Sequence, residues 1–426
     1  MATYRTRIVD EILKLKLSSA AAVLVEGTKW CGKTTTCEQV SRSVIYMDDP
    51  SHEAQYAELS RIAPLKLLEG AQPRLIDEWQ SAPTLWDAIR HKADRDKLIG
   101  AFVITGSAVP ADIDKLKHSG TGRFAWLKMR PMSLWESGES SGAVSLSDLF
   151  KKGSFSVADA RPLELEAVAE IVCRGGWPQS LDMSGVARFQ AVRNILDAIV
   201  DRDASRVDGV SRDSDRVRRL LRSYARLQGT QATARVIKSD LQSNELMKFD
   251  DDTVYSYVNA LKKLFVIEDV PAWCPNLRTK DAIRTSDTRY FVDPSLAAAS
   301  LGAGTGELMN DLKTFGFFFE TMVLRDLRVY AESLGGEVRH YHDKTGLECD
   351  AVIHLPNGEY GLFEVKLGGD RLIAEGVKTL GELLRLVREK GLKEPAFRMV
   401  VTAVGDYAYR RSDDGVVVCP VSALKP

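Results

Sequence analysis

Cysteine is scarce in this chain and irregularly placed. The six cysteines, at positions 31, 37, 173, 274, 349 and 419, include no C-x-x-C spacing, which excludes a disulfide framework or a zinc knuckle and leaves buried thiols as the expectation. An excess of charge of either sign is also missing. The 58 Lys and Arg against 59 Asp and Glu leave a net charge of −1, so no bulk field draws the chain to a polyanion and any nucleic-acid contact must come from a local patch. No apolar run approaches the length of a membrane span. The first residues, Met1-Ala2-Thr3-Tyr4-Arg5-Thr6-Arg7, lead into an amphipathic stretch rather than a signal-type apolar core, so the expected location is the cytoplasm, with no membrane partner. There is no internal repeat and no low-complexity tract.

What is present is a long chain of ordinary globular composition. Its 426 residues, 44% hydrophobic and 27% charged, exceed one core of usual size and predict two or three domains. The most informative run is Gly27-Thr28-Lys29-Trp30-Cys31-Gly32-Lys33-Thr34, followed by Thr35, which fits the G-x-x-x-x-G-K-[ST] phosphate loop. The apolar Ala21–Val25 precedes it and a helix-compatible stretch, Lys33 to Val40, follows. Glycines let backbone N–H groups close on phosphate oxygens, and the helix N-terminus adds positive potential. Lys33 is then expected on the β- and γ-phosphates of ATP, and the Thr34 hydroxyl on Mg2+.

Further apolar segments recur at 43–47, 74–78, 101–105 and 125–129 with helical stretches between most of them, which predicts a mostly parallel α/β sheet. Ligands in such sheets sit beyond the carboxyl ends of strands. Asp77 and Glu78 close one strand, an aspartate suited to hold Mg2+ and a glutamate suited to polarise an attacking water, with a surface acidic pair as the competing reading. Thr105-Gly106-Ser107 closes another, putting Ser107 where a γ-phosphate can be sensed or the water positioned, with a plain turn as the equal alternative. Gly120-Thr121-Gly122-Arg123 places an arginine ahead of the last strand, able to stabilise transition-state charge in its own subunit or across an interface, or else an ordinary surface arginine.

Together with Arg174-Gly175-Gly176-Trp177-Pro178 and Ile199-Val200-Asp201-Arg202-Asp203, these motifs resemble a bacterial and archaeal family that fuses an AAA+ ATPase to a long C-terminal region of uncharacterised function. The resemblance covers nearly the whole chain. It implies that Lys33 and Thr34 are the Walker A pair, Asp77 and Glu78 the Walker B pair, and Arg123 a sensor or finger. The apolar lead into Asp77 is shorter than that family's usual pattern.

The Gly/Ser-rich piece from Glu136 to Ser147 reads as a loop with a domain boundary after it. Expected domains are 1–150, the ATPase; 151–295, helical with a winged helix; and 296–426. In the middle, Val217, Leu220, Leu221 and Tyr224 form an i, i+3, i+4, i+7 stripe on an arginine-rich helix. A second helix through Val254, Val258, Leu261 and Phe265 runs into a strand at 266–270. Asp250, Asp251 and Asp252 open that helix and oppose docking on phosphates, so a structural or protein-contact winged helix is favoured over a DNA reader.

In the last domain, a helix from about Phe315 to Ala331 carries Glu320. The segment 349–355, the turn Pro356-Asn357-Gly358 and the segment 360–366 then read as a hairpin. The two-residue period puts Glu364 and Lys366 on one face, opposite Asp350. This resembles the PD-(D/E)-x-K nuclease fold, an α/β restriction-endonuclease-like domain, with Cys349 where the motif has proline. The resemblance implies Asp350, Glu364 and Glu320 around Mg2+ or Mn2+ and Lys366 orienting the attacking water. A helix over 382–390 and a strand over 397–402 complete the expected fold.

The expected function is an ATP-driven switch acting through the nuclease-like module on DNA or RNA. A nucleotide-controlled interaction protein that does not cleave, with a protein partner on the winged helix, is the alternative. A small-molecule kinase is disfavoured because no acceptor-binding insertion is evident. A homo-oligomer is compatible with either reading.

Overall fold

The computed structural model describes residues 4–107, 121–152, 157–205, 207–247, 249–274 and 286–426. By contacts the chain divides into two compact units. One comprises Met1–Pro131, Asp197–Ser214 and Tyr257–Val266; the other comprises Met132–Leu196, Asp215–Ser256 and Ile267–Pro426. Two pieces of the 151–295 segment thus belong to the first unit.

The first unit is built on a parallel sheet of five strands: β1 (Ala22–Glu26), β2 (Ser43–Tyr46), β3 (Arg74–Asp77), β4 (Phe102–Gly106) and β5 (Phe124–Lys128). Their spatial order is β2-β3-β4-β1-β5. Alternate residues of each strand serve the two faces. Ala22, Leu24, Ile76, Phe102 and Ile104 pack on one side with Trp79, Leu85, Trp86 and Ile89. Val23, Val25, Leu75, Val103 and Leu127 pack on the other with Val9 and Leu13 of the helix Ile8–Leu17. Both faces are covered, as a parallel sheet requires, and the strand ends carrying the motifs are left at the rim.

The second unit holds a mixed sheet. Strands Glu337–His342, Glu348–His354 and Tyr360–Lys366 form an antiparallel meander. Tyr360–Lys366 pairs in parallel with Phe397–Thr402, which pairs in parallel with Val417–Pro420. The crossover between Tyr360–Lys366 and Phe397–Thr402 is the helix Asp370–Glu389, much longer than the 382–390 read from sequence. Gly376 and Gly381 interrupt its helical pattern. Gly376 has a packing reason: a Cβ there would lie 3.2 Å from Val400 Cγ2 and 3.3 Å from Glu364 Cβ, so the missing side chain lets the helix close on the sheet beside Glu364. The helix Leu312–Ser333 brings Phe315, Phe318, Phe319, Met322 and Val323 to full burial.

Residues 136–147 are more than a loop. Val144–Ser145 pairs in parallel with Leu424–Lys425, and Ser140 Oγ donates to Leu424 O at 2.6 Å. In the middle segment the helices Ser214–Arg226 and Asp251–Lys263 form as the apolar spacing predicts, with Val217, Leu220, Leu221 and Tyr224 buried. The strand expected over 266–270 is reduced, among the described residues, to two antiparallel bridges, Ile267 with Phe291 and Val270 with Thr288.

The Arg174–Pro178 signature is a structural knot. Gly176 N donates to Asp293 Oδ2 at 3.0 Å, Trp177 Nε1 donates to Ser295 Oγ at 2.8 Å, and Arg325 bridges Asp293 and Asp326 at 2.8 Å each. A Cβ on Gly176 would lie 2.1 Å from Met132 O. Of the cysteines, Cys274 is exposed and the other five are buried free thiols. Among the described residues no helix is long and apolar enough to cross a membrane.

Candidate functional site

Two sets of acids beside a lysine emerge, one in each unit. In the first, β1 delivers the chain into the loop at Gly27, where φ is +156° and a Cβ would lie 2.1 Å from Met129 O. Only glycine passes this point without shifting the segment that follows β5's end. Gly32, at φ +98°, turns the chain into the helix Lys33–Glu38. Lys33 is buried, its Nζ donating to Gly27 O and Thr28 O at 2.9 Å each. The ammonium thus lies over the loop's own carbonyls, a cation stored where an anion would enter.

Thr34 Oγ1 donates to Asp77 Oδ1 at 2.9 Å, so the hydroxyl and carboxylate expected to share a magnesium ion meet directly. Thr105 Oγ1 donates to the same carboxylate oxygen. Burial pushes the Asp77 carboxyl above its ordinary range, and these two hydroxyls partly offset it. Glu78 adopts left-handed φ 54°, ψ 46°, sparsely populated for a non-glycine residue. Its carboxylate accepts from Ser107 Oγ at 3.1 Å and from Gln80 Nε2. Thr35 is exposed on the first helical turn, and Trp30, at φ 67°, is 57% exposed at the loop's crest.

Arg123 does not join this group. It precedes β5, whose first residue pairs with Ala22 at the start of β1, whereas Gly27 follows the end of β1. Five strand residues of about 3.3 Å each put roughly 16 Å between the two levels. Its guanidinium pairs with Asp94. Of the readings left open for Arg123, action within its own subunit does not fit this placement: in a parallel sheet, residues before a strand lie at the rim opposite those after it.

Several functional contacts escaped the sequence reading. Arg7 is buried and donates to Cys31 O at 3.0 Å and Arg130 O at 2.8 Å, bracing the loop from below. Tyr4 OH lies 3.1 Å from Thr36 Oγ1. Lys29 forms a 2.7 Å ion pair with Asp203, tying the loop to the π-helical turn Ile199–Asp203. Nothing local signals the Arg7 contacts; the recurrent Asp203 signature was visible, but not its partner.

In the second unit, Lys366 Nζ lies 2.7 Å from Glu364 Oε2 and 3.5 Å from Asp350 Oδ2. Asp350 Oδ2 also accepts from Val365 N at 2.7 Å. Burial, with Asp350 next to it, pushes the Glu364 carboxyl up to about 8. Although burial opposes it, the two acids hold the Lys366 ammonium well above its ordinary range. Glu320 accepts from Tyr290 OH, and burial with the Asp350 charge raises its carboxyl. The hairpin therefore brings Asp350, Glu364 and Lys366 together, with Glu320 electrostatically coupled. Among the described residues no three His, Cys, Asp or Glu side chains are arranged to hold a metal. The donors are hard carboxylate oxygens, the chemistry suited to Mg2+ or Mn2+, and the lysine now occupies the gap between two of them.

A cavity of about 540 Å3 opens on Asp350 and Glu320. Elsewhere in this unit the basic helix Ser214–Arg226 is neutralised from within. Arg219 pairs with Asp215 at 2.8 Å, and Arg226 pairs with Asp240 at 2.7 Å and Glu245 at 2.9 Å.

The family match over the N-terminal residues fits this geometry. Residues 19–137 match a family described as an AAA domain, 165–307 a domain of unknown function (DUF8612), and 315–424 a domain of unknown function (DUF4143). The phosphate loop and its parallel sheet lie within the AAA-domain match. Two uncharacterized proteins, from Mycobacterium bovis and Mycobacterium tuberculosis, are each 22% identical over 410 residues, 95% of this chain and 81% of theirs. Among solved structures, a Walker-type ATPase of Pyrococcus abyssi is 16% identical over 68% of this chain and 94% of its own, with a TM-score of 0.41. The Aeropyrum pernix Orc1 protein, solved in complex with DNA, is 12% identical over 70% of this chain and 92% of its own, with a TM-score of 0.23.

Proposed function

We propose that ATP turnover in the N-terminal unit switches the C-terminal, nuclease-like domain on nucleic acid in the cytoplasm. The observation that carries the nucleotide part is the convergence of Lys33, Thr34 and Asp77 at one loop. Thr34 and Asp77 would hold Mg2+, which supplies charge neutralisation on the β- and γ-phosphates. Thr105 orients the Asp77 carboxylate. Residues 27–32 offer backbone N–H groups and Thr35 extends the loop's polar rim. Glu78, held by Ser107 and Gln80, accepts a proton from the attacking water. Arg123 contributes only from a neighbouring subunit, within a homo-oligomer.

In the C-terminal domain Asp350 and Glu364, joined by Glu320, would hold Mg2+ or Mn2+ only after Lys366 leaves the gap between the first two and the three acids rearrange, and Lys366 would then orient water and offset charge on the phosphate. The middle segment, read as a winged helix, contacts protein rather than DNA. The test is paired. Lys33→Ala abolishes ATP turnover, and Lys366→Ala abolishes metal-dependent cleavage of plasmid or single strands while ATP turnover persists. Turnover surviving Lys33→Ala ends the nucleotide reading.

A nucleotide-controlled interaction protein is the second reading, favoured by the internal pairing of the helix's arginines, which leaves fewer cations for phosphate contacts. ATP turnover with intact nucleic acid under both Mg2+ and Mn2+ selects it.

A further inference from the structure

The cavity beside Asp350 has a chemically divided lining. Leu227, Val236 and Phe317 supply apolar surface, while Asp350, Glu320 and His342 supply polar groups. At about 540 Å3 it falls within the roughly 300–1,000 Å3 of small-ligand sites. Its lining includes the turn 227–232, and that turn is fixed. Gly229 N donates to Arg289 O at 2.8 Å, Arg289 N donates to Thr230 O at 2.9 Å, and Arg289 Nε donates to Ala232 O at 2.9 Å. Thr321 Oγ1 donates to Gln228 Oε1 at 3.1 Å. A Cβ on Gly229, where φ is +71°, would lie 2.6 Å from the Phe317 ring. Opening this wall breaks several backbone bonds at once, so the cavity is preformed rather than a lid.

A base within a duplex is stacked and paired and reaches such a cavity only when extruded, whereas an unpaired base enters at no such cost. Phe317 and the aliphatic wall suit a base face, and stacking of this kind tolerates any base. Among the described residues no Lys or Arg lines the cavity, while Asp350, Glu320 and Glu348 do, which disfavours a free polyanion such as a nucleoside triphosphate. We infer that the C-terminal site receives one unpaired nucleotide, its base in the cavity and its phosphodiester beside Asp350, so that the domain selects single strands or unpaired ends over continuous duplex. The inference rests on the nuclease-like reading of this domain and adds the class of substrate to it.

The test measures binding, not cleavage. Fluorescence anisotropy of the full chain, with Ca2+ present, compares a labelled 15-nucleotide single strand, the same strand as a blunt duplex, and a duplex with an unpaired end. The single strand and the unpaired end are expected to bind at least about tenfold tighter than the blunt duplex. Val236→Trp, at an exposed position of the lining, should remove that preference without changing ATP turnover, and Gln231→Trp provides a second filling variant. Equal affinity for the blunt duplex, or a preference unchanged in both variants with native circular dichroism, overturns the inference. If the preference and its loss on filling are found while Mg2+ and Mn2+ give no cleavage, the cleavage reading alone falls and unpaired-nucleotide recognition stands.

Discussion

The two units solve a similar chemical problem in opposite ways. Each places a lysine near acids at the end of a strand, but Lys33 is held by the neutral carbonyls of Gly27 and Thr28, while Asp77 is held by the hydroxyls of Thr34 and Thr105. Lys366 is ion-paired to Glu364 and Asp350 instead. In the first unit, cation and carboxylate have neutral partners that a triphosphate and a divalent ion can displace cheaply. In the second, a divalent ion must first displace an ammonium from its own acids. The first site is poised; the second is latched.

The largest expected effect separates the two lysines by activity. Lys33→Ala should lower ATP turnover at least about a hundredfold, measured by phosphate release, because the ammonium expected on the β- and γ-phosphates is gone. Lys366→Ala should leave that rate unchanged, and a matching fall would erase the contrast. Stability reverses the order. Lys366→Met leaves the buried Glu364 and the half-buried Asp350 without their cation and should cost about 3 kcal/mol in urea unfolding at about pH 9, where Glu364 is ionised. Lys33→Met releases only carbonyl partners and should cost about 1 kcal/mol. Millimolar Mg2+ should recover part of the Lys366→Met loss, visible as a raised Tm, if a divalent ion can take the ammonium's place.

A third measurement uses pH. The folded Glu364 carboxyl, at about 8, lies above its ordinary 4.5. A raised carboxyl binds its proton more tightly in the folded state, so its contribution is full below about pH 4.5 and is lost as pH rises through about 8. Lys366 stays charged over that window and adds no slope. Glu364 therefore contributes a fall in the second unit's stability between about pH 5 and pH 8.5, beside the raised carboxyls of Glu320 and Asp326, and Glu364→Gln should make the fall shallower. A fall of the same size in Glu364→Gln would contradict the raised Glu364 carboxyl. The smallest effect belongs to Arg123→Ala, which should leave turnover unchanged at protein concentrations too low for association, since this side chain is engaged with Asp94 at the far rim. A drop under those conditions would bring it back to its own subunit's loop.

Much of the first site was legible because its signals are local. Short, near-continuous apolar runs in 22–26, 43–46, 74–77 and 102–106, with a further segment at 124–128, mark strands buried on both faces, and the loop motif fixes its own backbone. Arg123 was misplaced although the information was available: strand direction alone assigns residues before and after a strand to opposite rims. The Arg7 brace was not legible, because a contact with Cys31 and Arg130 leaves no periodicity behind. In the second unit the Asp350–Glu364–Lys366 grouping followed from hairpin period and turn chemistry. The first half of the helix Asp370–Glu389 did not, because Gly376 reads as a helix breaker until the sheet it packs on is known.

The pairing of Val144–Ser145 with Leu424–Lys425, and of Ala158–Asp159 with Tyr407–Ala408, has a consequence for biosynthesis. Strands made early wait for partners made more than two hundred residues later, so on the ribosome the second unit stays open through most of translation and seals only as its last strands emerge. During that interval its nascent edges are unpaired and depend on chaperones or on speed of synthesis to escape aggregation.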